Sequence, residues 1–153
     1  MDKSDTQFDY RVKAILGENR ISTIQSPAVE MPLECATPPE FPHGIAGMWS
    51  PETYLLTSIA GCYINTFQAL ADKFDFMLIG LSCDARGTVA LVDGKYTFTE
   101  ITVTPLITLE KQSEEAKALR IAQKAHKYCL ISNSLKCPVL LRENFCFLTA
   151  TAV

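Results

Sequence analysis

The chain has 153 residues, 48 % hydrophobic and 20 % charged, with a formal net charge of −3, which describes one folded domain, 1–153, and not a disordered chain. There is no cationic excess to neutralise phosphates, so a nucleic-acid partner is not expected. The polar, acidic start MDKSDTQFDY does not suit a signal peptide and no apolar run suits a membrane span, so the expectation is a soluble cytoplasmic protein without a membrane partner.

In chain order, alternation predicts a strand over Phe8–Leu16, a turn at Gly17-Glu18-Asn19 and a return strand over Arg20–Ser26. A short strand is expected at Val29–Leu33. A loop from Thr37 to Trp49 follows, rich in proline and glycine, and a loop of that length is commonly functional. Ser50 is a good N-cap, Pro51 suits the first helical position, and Glu52 puts a negative charge in the first turn. The helix they open runs to Asp72-Lys73. Leu56, Ile59, Tyr63, Phe67 and Leu70 form one stripe, and Leu55, Ser58, Cys62, Thr66 and Ala69 a second, smaller one. A helix apolar on most faces is expected to be buried. Met77–Val92 and Tyr96–Leu109 read as two strands joined at Asp93-Gly94, a type I′ hairpin signal. Ser113 should cap a second helix with Ala118, Ile121, Ala122 and Ala125 inward, breaking near Cys129. A turn over Ser132–Leu135 and a last strand over Asn144–Val153 complete an α+β order with mainly antiparallel sheet.

Six cysteines are present, at 35, 62, 83, 129, 137 and 146, without a C-x-x-C pair. Most should be small buried hydrophobes, and neither a metal site nor a cofactor is expected. Two stand out by context: Cys62 mid-helix in AGCYINT, and Cys129 at a helix end in KYCLISNSL. Acting as a pair, one thiolate would reduce a peroxide and become a sulfenic acid, which the other traps as a disulfide. The attacking thiol needs a lowered pKa, and mid-helix that calls for a cation, with Arg11, Arg20 and Arg86 as candidates.

The segment PPEFPHGIAGMWSPETYLLTSIAGCYINTFQALADK, followed by KAHKYCLISNSLK, resembles the osmotically induced/organic hydroperoxide resistance (OsmC/Ohr) superfamily. The resemblance covers essentially the whole chain. It implies antiparallel sheets wrapped around two long buried central helices in an intertwined homodimer. It also implies a cysteine-based organic hydroperoxide reductase of oxidative-stress defence, with an external dithiol, such as a lipoyl protein, as reductant. By that resemblance Cys62 attacks the peroxide and Cys129 resolves it. Glu52 matches the glutamate that holds an arginine, for which Arg20 in GENRIS is the best match and Arg11 the alternative. The loop before the helix departs from the family's glycine-richer pattern at Phe41-Pro42-His43-Gly44, and His43 reads as a solvated loop residue.

Ten residues separate Glu52 from Cys62, about 15 Å along a straight helix. One chain could not join them in a single contact site without a bend, so a composite site at a twofold interface is expected. The alternative is a redox-inert dimer of the same fold that binds a small apolar ligand. A redox sensor would need a partner surface that nothing in the sequence supplies.

Overall fold

The computed structural model describes residues 7–148. Two compact units divide the chain, 1–54 and 55–153. The first carries a three-stranded antiparallel sheet in the order β1 (Lys13–Leu16), β2 (Ser22–Ser26), β3 (Val29–Cys35). The strand expected over Phe8–Leu16 starts only at Lys13, because β2 ends at Ser26 and pairs no further than Gln25 with Lys13. The β1–β2 connection is a 3₁₀ turn over Glu18–Arg20 in which Asn19 and Arg20 adopt positive φ, 52° and 64°. β3 runs two residues past the expected Leu33, and its last residue, Cys35, is buried.

The 37–49 loop leads to α1 (Pro51–Lys73), whose start is built as the sequence predicts. Ser50 and Thr53 cap the helix reciprocally: the Thr53 amide donates to Ser50 Oγ at 3.3 Å, and the Ser50 amide to Thr53 Oγ1 at 2.8 Å. Threonine thus fills the place that Glu or Gln takes in the usual capping box. The Trp49 and Tyr54 rings stack at 5.7 Å, and the Tyr54 hydroxyl donates to the Glu34 carbonyl, tying the first helical turn to β3.

The second unit takes over α1 from Leu55. Its centre is β5 (Lys95–Leu109), the hairpin partner of β4 (Gly80–Val92). Asp93 and Gly94 close that hairpin with φ of 49° and 76°, the two positive values a type I′ turn demands. Alternate β5 residues Ile101, Val103, Ile107 and Leu109 face inward. They meet Ile59, Tyr63, Phe67 and Ala71 of α1 and Ala118, Ile121, Ala122 and Ala125 of α2 (Glu115–Tyr128) in one core. α2 begins after a 3₁₀ turn over Gln112–Glu114, two residues beyond the expected cap. A four-residue helix, α3 (Leu130–Asn133), replaces the expected turn.

The sheet is mainly antiparallel, as expected, through the long β4–β5 ladder, and it carries a parallel edge as well. β6 (Val139–Leu141), which sequence reading missed, and β7 (Asn144–Phe147) both pair parallel to β5 along its other edge. Pro105 falls between the two, after Val103 pairs β6 and before Leu106 pairs β7. A residue without an N–H is tolerated there because neither strand asks it for one. The expected last strand ends at Phe147, and its remainder from 149 on lies outside the described residues.

The expectation that α1 is buried nearly all round is not what a single chain shows. Its buried residues, Ile59, Tyr63, Phe67 and Ala71, form one stripe at four-residue spacing. Ser58, Gly61, Asn65 and Ala69 are exposed on another face. No helix of the described residues is long and apolar enough to cross a membrane.

Candidate functional site

Cys62 and Cys129 both belong to the second unit, and the fold brings them together. Cys62 sits mid-way along α1, half-buried between the core residues Ile59 and Tyr63. Cys129 is fully buried at the junction of α2 and α3, where its φ of −63° and ψ of 109° end one helix and start the next. Asn133 fixes that break: its backbone amide donates to the Cys129 carbonyl at 3.1 Å, and its side-chain amide to the same oxygen at 2.9 Å and to the Lys127 carbonyl at 2.8 Å. The break therefore presents the first amides of α3, which have no intrahelical acceptor, to the sulfur of Cys62.

Burial pushes the Cys62 pKa up. Hydrogen bonds from the Ile131 amide, the Cys129 thiol and the Leu130 amide outweigh it and hold the thiol below its ordinary value, and Thr66, whose hydroxyl donates to the Cys62 carbonyl at 2.8 Å, acts in the same direction. Cys129 goes the other way. Burial raises it, the Ser132 hydroxyl and amide pull it partly back, and the neighbouring Cys62 raises it again. Ser132 Oγ donates to Cys129 Sγ at 3.2 Å. A third thiol, Cys83 on β4, is pushed up to about 11, chiefly by burial and then by Asp84 and Cys129. One thiol of the three is thus prepared to ionise and two to stay protonated. All six cysteines are free.

Glu52, Arg20 and Arg11 lie in the first unit, and Arg86 in the second. Glu52 occupies the first turn of α1, and its Oε2 is buried without a hydrogen-bond partner. Arg20 is exposed, at the end of the β1–β2 turn. The one ion pair among the described residues joins Lys111 to Glu110 at 3.9 Å, so Glu52 and Arg20 are not paired within the chain. Arg11, the alternative, lines a cavity of about 290 Å³ with Lys13, Gln25, Ser26 and Pro27. Arg86 is exposed on β4 between half-buried Ala85 and Gly87, on the strand face that alternates away from the core side, and lines a different cavity with Arg142. His43 is exposed in the loop at a φ of 63°.

The residues that sequence reading missed are Thr66, Ser132 and the amides of Leu130 and Ile131. Thr66 lies four residues after Cys62, one helical turn on. Ser132 lies three after Cys129, the spacing at which a side chain meets an N-cap residue. Among the described residues no group of three or more His, Cys, Asp or Glu side chains is placed to hold a metal ion.

A family model described as OsmC-like protein matches residues 42–144, most of the chain and both thiols. The chain belongs to the OsmC-like family. A relative in Bacillus subtilis strain 168, the uncharacterized protein YmaD, is 27 % identical over 140 residues, covering 87 % of this chain and 89 % of that one. Among solved structures, an OsmC-like protein of unknown function from Vibrio cholerae superposes with a TM-score of 0.77 at 16 % identity, covering 90 % of this chain and 99 % of that one. An organic hydroperoxide resistance protein from Legionella pneumophila gives 0.72 at 21 %, covering 92 % and 98 %. The organic hydroperoxide resistance protein OhrB of Bacillus subtilis gives 0.67 at 17 %, covering 91 % and 98 %. These likenesses establish the mixed α+β fold of OsmC-like proteins for this chain.

Proposed function

We propose that this OsmC-like protein is a thiol-dependent peroxidase that reduces organic hydroperoxides, with Cys62 attacking and Cys129 resolving. The supporting observation is the split between two adjacent thiols: Cys62 is held below the ordinary thiol pKa, and its partner, Cys129, above it. An attacking thiol must be ionised, and its resolving partner must hold its proton until the first oxidation is complete.

In the proposed cycle the Cys62 thiolate attacks the distal peroxide oxygen and breaks the O–O bond. The alkoxide takes up a proton and leaves as the alcohol, and Cys62 becomes a sulfenic acid. The Cys129 sulfur then displaces the sulfenic oxygen, which leaves as water, and a disulfide forms. An external dithiol reopens it by two exchange steps and is itself oxidised to a disulfide. The hydrogen bonds that stabilise the Cys62 thiolate need no cation from the same chain.

The remaining roles extend the reading. Glu52 would hold the Arg20 guanidinium against the peroxide, acting across a twofold interface on the thiol of a second copy. The unpartnered Glu52 Oε2 and the exposed small-residue face of α1 favour that arrangement. We place the protein in the cytoplasm, as a homodimer of single OsmC-like domains. The deciding experiment adds one equivalent of an alkyl hydroperoxide and measures intact mass and free thiols for the native chain and for Cys62→Ser. The native chain is expected to lose two thiols, mapping to 62 and 129, and the variant none. Unchanged thiols in the native chain would sink the proposal and leave the ligand-binding alternative.

A further inference from the structure

α1 does not simply fray at its end. The Phe76 amide donates to the Ala71 carbonyl at 2.9 Å and the Asp75 amide to the Asp72 carbonyl at 3.3 Å, with Asp75 at a φ of 48°. These two bonds around a left-handed residue make a Schellman turn, which ends the helix in one defined conformation. Phe76 goes into the core, and Phe74 stays at the surface, 37 % exposed. Lys117 of α2 donates to the Asp75 carbonyl at 3.1 Å, so the turn is also pinned to the second helix.

Between the turn and α2 lies a cavity of about 370 Å³ lined by Phe74, Lys117, Arg120, Ile121 and Lys124. That is the scale of a small-molecule site, for which about 300–1,000 Å³ is usual. The α2 residues among them recur at the three- and four-residue spacing that puts them on one helix face. Three cations there repel one another, in a chain whose net charge is −3. No carboxylate forms an ion pair with any of them among the described residues. Lys117 is engaged with Asp75 and lies 5.9 Å from the Phe76 ring, and the Lys124 ammonium lies 5.0 Å from the centre of the Phe74 ring. Arg120, between them, has no hydrogen-bond or ion-pair partner among the described residues.

We propose that this groove binds a small organic anion with an apolar body. The anionic head is taken by the Arg120 guanidinium together with the Lys124 ammonium, and the body lies against Phe74. An anionic oxygen relieves the repulsion along α2, and a guanidinium offers paired donors to a carboxylate or phosphate. The aromatic wall gives such a ligand contact area that a bare ion cannot use. The site is independent of the thiols and of any peroxidase activity.

The test titrates phenyl phosphate into the full-length chain by calorimetry, with backbone amide NMR to locate binding. Saturable binding is expected, with shifts at Phe74 and over 117–124, weakened about tenfold in Arg120→Gln/Lys124→Gln. Inorganic phosphate should bind about tenfold more weakly than phenyl phosphate. All the substituted side chains are exposed, so an unchanged melting temperature verifies the fold. Lys127→Gln, outside the groove, should leave binding intact. No saturable binding, equal binding by the double variant, equal binding of inorganic phosphate, or an equal loss in Lys127→Gln would each overturn the proposal.

Discussion

The reactivity of the thiols is decided by which hydrogen-bond donors each sulfur meets. Cys62 meets amides that α3 cannot use internally, whereas Cys83 meets the apolar interior. Iodoacetamide near neutral pH should therefore label Cys62 first, with Cys129 and Cys83 lagging by about tenfold or more, since alkylation follows the thiolate fraction. Mass mapping of a time course checks this, and equal labelling of Cys62 and Cys83 would refute the order. With rising pH the Cys62 rate climbs earlier than that of an ordinary thiol, whereas Cys83 becomes reactive only as pH rises toward about 11. At this scale the sequence was only partly legible. The isolation of Cys62 among small residues and of Cys129 at a helix end was visible, but the donors were not, since Leu130 and Ile131 act through amides that carry no side-chain signature.

At the scale of elements, capping and turn chemistry were the readable part. The Ser50-Pro51 start of α1 and the Asp93-Gly94 hairpin follow from local backbone preferences, and both stand in the structure as expected. Replacing Ser50 with alanine removes the acceptor for the Thr53 amide and leaves the buried Ser50 site without its hydroxyl. It should cost about 1 kcal/mol, measured as a shift in the denaturant midpoint at unchanged slope. β6 escaped because three residues, Val139–Leu141, are too few to show a period. Its parallel pairing, and that of β7, depend on the edge that β5 offers, which is a matter of topology and not of local pattern. The missing start of β1 has the same origin: residues with strand-like alternation form no strand where no neighbour supplies a ladder.

For the whole molecule, the α+β class was legible from element order, and the helix faces were not. The periodicity of α1 marks residues able to be buried, and one chain buries only a single stripe of them. The exposed face with Ser58, Gly61, Asn65 and Ala69 carries mostly small side chains, of the kind that permit close approach of a second helix. If that face is the proposed twofold contact, light scattering should give about twice the 16.9 kDa chain mass. Ser58→Arg should shift the protein toward the single-chain mass; a native protein that scatters as a monomer while reducing peroxide at full rate would remove the interface from the proposal.

Cys62 and Cys129 bracket the whole β4–β5 hairpin and all of α2. On the proposed pairing, each turnover therefore closes and reopens a covalent ring of roughly 65 residues, a constraint worth about 4 kcal/mol of unfolded-state entropy in the chain-entropy model. The oxidised protein would be the sturdier form and the reduced protein the more easily opened one. The same bond that records a consumed peroxide would thus also protect the fold until a dithiol arrives.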